Sequence, residues 1–411
     1  MFSPRHQKVI QQYLNQYAEP EIDRITLQQQ YQHVVVIPAF SELAAPLRRT
    51  WSKLPNSALV ILVINAPHAD SRTLTLLQFF KSHYIAKETG PGWGCYQRSD
   101  EPDLLIVERC APGFYIPVKQ GVGLARKLGA DLALKFILEE QIDSRIIHNT
   151  DADALLPSNY FQQTGHQTSA ASVFAYRHRL PDSANLKRGM LMYELRLQHF
   201  CAGLAWAGSH YAHHSLGSII AVDAAAYAQV RGFPKRSTGE DFYLLNKLAK
   251  VGEVQSLEGT KITLSSRRSS RVPVGTGTGL RRLGTLNINT PYYYAPQNFH
   301  SLKSLLTAMA QTQDGSDIAD QVDLPAAAYF TSSDLPGLLP KLASNCSDSS
   351  QLRRAIAEWF DGFQQLKMLH FLRDRYAADV SLQEVLLAPW LQSPSKYGPS
   401  QQRLKLIRAL I

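Results

Sequence analysis

Cysteine is scarce in this chain, with only Cys95, Cys110, Cys201 and Cys346 among 411 residues. The four lie far apart, which excludes the paired short spacing of a structural zinc site and the density of a secreted disulfide scaffold. Buried thiols in a reducing compartment are the expectation that remains. Long apolar runs are missing too: nothing approaches the ~20 residues a membrane span needs, and the opening Met1-Phe2-Ser3-Pro4-Arg5-His6 lacks the apolar core of a secretory leader. A cytoplasmic location is therefore expected, with peripheral contact at the inner face of a membrane left open. Basic clusters are few. The balance of 43 Lys+Arg against 34 Asp+Glu gives a formal charge of +9 and favours anionic partners such as diphosphates. The cations are dispersed apart from Arg267, Arg268 and Arg271 and the pair Arg281, Arg282, so no arm or helix forms a nucleic-acid footprint and no nucleic-acid partner is expected. Repeats and low-complexity tracts are absent.

What is present is an alternation of short β-branched runs with helical stretches. Val34-Val35-Val36-Ile37 ends at Pro38, and Leu59-Val60-Ile61-Leu62-Val63-Ile64 ends at Asn65. Such runs are what strands buried on both faces look like. Helical periodicity over 41–52, 71–84 and 119–138 falls between and after them, the pattern of a doubly wound α/β sheet. Residues 1–31 read as an N-terminal helix and linker and 32–284 as the catalytic domain. Helix-only texture from 285 to 411 reads as a helical C-terminal extension. In open α/β sheets ligands bind outside the carboxyl ends of strands, which directs attention to Pro38 through Glu42, to Asn65 and to the segment after Ile146-Ile147.

That last segment carries the sharpest signal, His148-Asn149-Thr150-Asp151-Ala152-Asp153-Ala154. Two Asp separated by one small residue can turn one carboxylate to a hard divalent cation and the other to a ribose or metal-bound water. A bare Asp-x-Asp is usually a turn with two solvated carboxylates; its place at a strand end makes the difference here. Further on, Gly232-Phe233 precedes Gly239-Glu240-Asp241 at the start of an apolar-faced helix. The helix dipole alone favours acids in a first turn. The functional reading makes one of them a general base, because an attacking sugar hydroxyl must lose its proton.

The ordered set resembles family 2 glycosyltransferases of the GT-A fold: a strand running into Pro38-Ala39-Phe40-Ser41-Glu42, the basic Gly-containing helix from Lys119 through Arg126 to Gly129, Asp151-x-Asp153, then Gly-Phe and Gly-Glu-Asp. The resemblance covers roughly residues 32–280 and implies a nucleotide-binding mixed sheet flanked by helices. It implies an enzyme that moves a hexosyl group from a UDP- or GDP-sugar to a hydroxyl acceptor, with Mn2+ or Mg2+ as cofactor. Carried over residue by residue, it assigns Pro38, Phe40 and Glu42 to the nucleotide pocket, Asp151 and Asp153 to the ribose and the metal-diphosphate, Asp241 to the base and Glu240 to orienting the acceptor; Asn65, at a strand end, and Arg126, on the basic helix, are further nucleotide-side candidates. Many members have an Asp pair after the second strand where this chain has Asn65-Ala66-Pro67. The Gln-x-x-Arg-Trp signature of processive synthases is missing, which with the lack of membrane spans argues against a polymerising enzyme, while Asp241 as base implies an inverting, direct-displacement transfer. A later His that retaining relatives use as a metal ligand is replaced by Ser265-Ser266-Arg267-Arg268.

Arg267 and Arg271 run into the Gly-rich stretch Val274 to Gly279, whose guanidinium and backbone N–H groups can gather phosphate oxygens; the alternative is an ordinary surface loop. His210, His213 and His214 lack neighbouring acids at metal-ligand spacing, so structural or acceptor-side roles are expected of them. Two alternatives stay open, a nucleotidyltransferase or other nucleotide-diphosphate enzyme on a similar sheet and an inactive nucleotide-sugar binding protein. A dinucleotide-binding dehydrogenase is set aside, because Gly121-Val122-Gly123-Leu124-Ala125-Arg126 ends in Arg where the fingerprint needs Gly or Ala, far from the first strand.

Overall fold

The structure is a computed structural model and describes residues 2–163, 169–266, 288–392 and 395–411. Arg267 and Arg271, the Gly-rich stretch after them and the expected boundary near 285 lie outside the described residues. Two compact units form. One comprises Met1–Arg179 with Ser215–Thr278, the other Leu180–His214 with Gly279–Ile411.

The first unit is built on a nine-stranded mixed sheet. Its centre is the β-branched sequence: β1 (His33–Ala39) pairs in parallel with β2 (Ala58–Asn65), whose residues are all buried. Strands β3 (Ile85–Gly90), β4 (Trp93–Gln97) and β5 (Asp103–Arg109) continue one side, β5 parallel to β2 and the β3–β4–β5 ladder antiparallel. On the other side of β1 lies β6 (Ile146–Asn149), again parallel, followed by antiparallel β8 (Ile220–Asp223) and β7 (Ala171–His178), and then β9 (Val254–Leu264) parallel to β7. The expected mixed α/β sheet flanked by helices is therefore what forms, and β5, β2, β1 and β6 bring four carboxyl ends to one edge.

Helices α2 (Ala44–Trp51), α3 (Ser71–His83) and α4 (Gly121–Leu138) connect the strands. α4 is buried nearly all round, charged residues included: Arg126, Lys127 and Asp131 are 2 %, 4 % and 0 % exposed. Part of the cover is α1 (Pro4–Gln16), which packs on α4 and on α6 (Ala224–Gln229). Asp131 accepts from the Tyr13 and Tyr227 hydroxyls and from Lys127 Nζ, so its buried charge is fully partnered. α4 reaches the sheet closely because of Gly129: a Cβ there would run into Val36 Cγ1 and stand 3.3 Å from Val63 Cγ2. Gly129→Ala should lower stability by ~1–3 kcal/mol, overpacking outweighing the ~1 kcal/mol gain in helix propensity. Denaturant melting checks this, and an unchanged or raised midpoint would contradict it.

The second unit is helical, formed by α5 (Ala184–Trp206) and, after residue 288, chiefly by helices Pro296–Gln311, Leu324–Ser332, Leu335–Ser344, Ser349–Trp359 and Gly362–Arg375. Its core packs Leu195, Phe299, Leu302, Ile356, Leu369 and Trp390. Among the described residues no helix is long and apolar enough to cross a membrane.

Candidate active site

The carboxyl edge of the parallel strands gathers the acidic motifs. β6 ends at Asn149, and the chain then turns, with Ala154 N–H bonded to the Asp151 carbonyl at 3.2 Å. Ala152 and Ala154 point inward, 6 % and 0 % exposed, which leaves Asp151 and Asp153 partly open to solvent. The small residues of the motif thus anchor the turn and its acids face outward. Thr50 Oγ1 adds a bond to the Ala152 carbonyl at 3.2 Å.

Asp151 is held from two sides. The Arg126 guanidinium donates to Oδ1, and the Ser218 hydroxyl donates to Oδ2. Ser218 itself is fixed by its carbonyl, which accepts from Thr150 Oγ1 at 3.0 Å. Arg126 also donates through Nε to Glu240 Oε1 at 3.0 Å and through Nη1 to the Thr150 carbonyl at 3.3 Å. Burial by itself would lower the pKa of this guanidinium; Asp151, Glu240 and Asp241 outweigh burial, and the charge is held firmly.

Glu240 and Asp241 open α7 (Glu240–Leu248), entered from Gly239 at a φ of 71°, a left-handed conformation that glycine adopts without strain. The loop before them is pinned by Lys247, whose Nζ donates to the carbonyls of Val230 at 2.6 Å and Gly232 at 2.9 Å. It is pinned a second time by α4, since Gly123 N–H bonds the Arg236 carbonyl at 2.9 Å and a Cβ on Gly123 would stand 2.6 Å from Arg236 N. The Gly-Phe and Gly-Glu-Asp signatures are thereby fixed against the helix that carries Arg126. Asp241 Oδ1 accepts from the Phe242 N–H at 2.7 Å, yet burial, followed by repulsion from Glu240, pushes its carboxyl up to about 7. A carboxyl of that kind is suited to exchange a proton near neutrality.

The first strand ends in a constrained loop. Pro38 is buried within β1, and Phe40 follows the strand half-buried. Ser41 adopts a positive φ of 53°. Its N–H bonds Thr73 Oγ1 at 3.0 Å, and Thr73 is held by Asp70. Glu42 is 6 % exposed. Asn65, at the end of β2, donates its amide to the carbonyls of Ala39 and Val63, both at 3.2 Å. Asp151, Arg126, Glu240 and Asp241 therefore form one cluster on this edge, and Pro38, Phe40, Glu42 and Asn65 lie at the adjoining strand ends.

Three residues of this arrangement went unnoticed in the sequence: Thr150, Gly217 and Ser218. Gly217 leaves the space that the Arg126 guanidinium fills, since a Cβ there would collide with Nη2. The signal available was a Gly-Ser pair directly before the strand-like Ile219-Ile220-Ala221-Val222. In the helical unit, His213 and His214 are buried, and His214 Nδ1 lies 3.2 Å from Cys201 Sγ. Burial lowers the His213 pKa to about 4, so it is neutral at pH 7. No group of three or more His, Cys, Asp or Glu among the described residues is placed to hold a metal ion by itself.

No protein-family model matches the chain, and no curated protein matches it. Among solved structures it is similar to residues 1–349 of TarS from S. aureus in complex with UDP-GlcNAc, at 13 % identity and a TM-score of 0.37, covering 81 % of this chain and 92 % of that one. The same TarS residues without the ligand align at 12 % identity and a TM-score of 0.36, covering 81 % and 91 %. A crystal structure of TarS aligns at 11 % and 0.37, covering 80 % of this chain and 55 % of that one.

Proposed function

We propose that this protein is a glycosyltransferase that moves a sugar from a nucleotide diphosphate donor to a hydroxyl acceptor with inversion, without polymerising. The observation that carries the reading is the placing of Asp151 and a near-neutral Asp241 around one buried arginine at the carboxyl edge of a parallel sheet. Asp241 takes the proton of the attacking hydroxyl, because a base must lie where that proton is released and its pKa must be near the working pH. The phosphoryl acceptor of a nucleotidyl transfer needs no such base, which favours glycosyl transfer over that alternative. Asp151 and the residues at the ends of β1 and β2, Pro38, Phe40, Glu42 and Asn65, bind the nucleoside.

The donor set fits a Mg2+ or Mn2+ ion. Such ions take oxygen ligands and are commonly bound by one or two carboxylates together with substrate phosphates rather than by an all-protein cage. Asp153, partly open to solvent beside Asp151, would be the protein ligand, with Asp151 next to it held by Arg126 and Ser218. When bound, the ion neutralises charge on the departing diphosphate.

The test is a thermal-shift screen of UDP, GDP and their sugar conjugates with and without Mn2+. A ligand at about 100 times its Kd stabilises the native state by ~2.7 kcal/mol, a shift easily read. One nucleotide family should raise the melting temperature in Mn2+. If none does so at millimolar concentration, the donor class is wrong.

A further inference from the structure

We propose that Arg126 is a positioning residue that braces the donor side and the acceptor side together, one buried guanidinium holding Asp151 in place and carrying the Glu240–Asp241 pair at a fixed spacing from it. This rests on the reading of Asp241 as base and of Asp151 as a donor contact. The geometry is specific to arginine. Its Nε, Nη1 and Nη2 reach three acceptors on two separate segments: Glu240 on α7, and the Thr150 carbonyl and Asp151 carboxylate after β6. A lysine ammonium is a point donor on a single stem and cannot span all three. The fold makes room for the fork at Gly217, where any side chain would displace it, and Ser218 secures the far oxygen of Asp151.

The same brace governs a proton. Three carboxylates, Asp151, Glu240 and Asp241, surround one cation that is 2 % exposed, so negative charge is in excess in a poorly solvated place. The excess is relieved by protonating the carboxyl with no ion-pair hydrogen bond of its own to Arg126, which is Asp241. The groups facing Asp241 are Glu240 from its own helix, Arg126 from α4, Asp151 from the loop after β6 and the Phe242 N–H. Glu240 and Arg126 therefore act on it in opposite directions. Glu240 favours its proton, and Arg126 disfavours it.

The experiment is a 13C titration of the Asp carboxyls in the full-length chain, with Asp241→Asn to assign the signal, combined with calorimetry of UDP in Mn2+. The wild-type midpoint should lie near 7. In Glu240→Gln, which keeps the shape and an acceptor oxygen for Arg126, the midpoint should fall by about one unit or more, and in Arg126→Gln it should rise by a similar amount. A merely structural pair would leave the midpoint where it is. Should Arg126→Gln fail to fold, the isosteric Glu240→Gln decides by itself: an unmoved midpoint overturns the coupling. Arg126→Lys retains the charge and loses the fork, so its midpoint should stay while UDP affinity drops about tenfold through a displaced Asp151; undiminished affinity overturns the bracing of Asp151. If UDP and GDP bind no better to the wild-type chain than to buffer blanks, it is the donor reading that fails, and the titration still decides whether Arg126 and Glu240 are coupled to Asp241.

Discussion

Asp241→Asn is expected to leave nucleotide binding intact and to reduce turnover by about 10²–10⁴-fold, the range that a positioned general base contributes. Asparagine keeps the shape and the acceptor oxygen that takes the Phe242 N–H, so α7 should start as before. What is removed is the group proposed to accept the hydroxyl proton. The loss should fall on kcat more than on the donor KM, since the interaction is made only as the new bond forms. In the wild-type protein kcat/KM should decline as pH falls below about 7, where Asp241 of the free protein becomes protonated. Stability should run the other way. A carboxyl whose folded pKa is raised contributes stability that is complete below its unfolded pKa and is lost as pH rises through the folded value. Asp241 thus destabilises the fold progressively between about pH 4 and pH 7. The asparagine variant should accordingly be the more stable protein at pH 8, by ~2 kcal/mol after discounting for the solvent access the side chain retains, and should show no such gain at pH 4. Near-native turnover in this variant, or a product that keeps the donor's anomeric configuration, would reduce Asp241 to an acid at a helix start.

How much of this could be read from the residues depends on which physical signal each element carries. β1 and β2 were legible because both faces are buried and continuous β-branched runs have few other uses. The helices over 71–83 and 121–138 followed from periodicity, to within two residues at their starts. β3 was hidden, since an edge strand reading Ile-Ala-Lys-Glu-Thr-Gly is largely exposed and carries no apolar alternation. The central strand order and the antiparallel turn of β8 and β7 were likewise beyond local pattern, because pairing is decided by contacts remote in sequence. The site was half legible. Asp-x-Asp and Gly-Glu-Asp announce themselves by residue type and order. The bonds between them do not, because Arg126 looks like one cation on a helix whose Lys127 and Asp131 suggest a solvated face. Only the packing of α1 over α4 helps make that face an interior one. Ser218 was illegible for the related reason that a hydroxyl becomes informative only when the acceptor it meets is known.

The proposed metal dependence would assign distinct tasks to the two aspartates, and it can be measured without an acceptor. A diphosphate arriving at Asp151 and Asp153 meets like charge. At ~4 Å and an effective dielectric near 20, a unit pair repels by about 4 kcal/mol, and partial exposure lowers the figure. Since 1.4 kcal/mol is a factor of ten, removing Mn2+ with EDTA should weaken UDP or GDP binding by at least ~10²-fold. Asp153→Ala, at a side chain that is partly exposed, should produce the same loss in the presence of Mn2+. Asp151→Ala should behave differently. It takes from Arg126 one of its two carboxylate bonds and leaves the Ser218 hydroxyl without its acceptor, so it should lower stability even when no nucleotide is present. Breaking a buried ion pair costs about 3–5 kcal/mol; the lower end applies here because Glu240 remains and the Asp151 side chain is 37 % exposed. Calorimetry in Mn2+ and in EDTA, run beside melting curves of the three proteins, separates these outcomes. Equal affinity with and without the ion, or full affinity in Asp153→Ala, would remove the metal from the mechanism. A native melting temperature in Asp151→Ala would show that the acid is not part of the cluster that holds the site together.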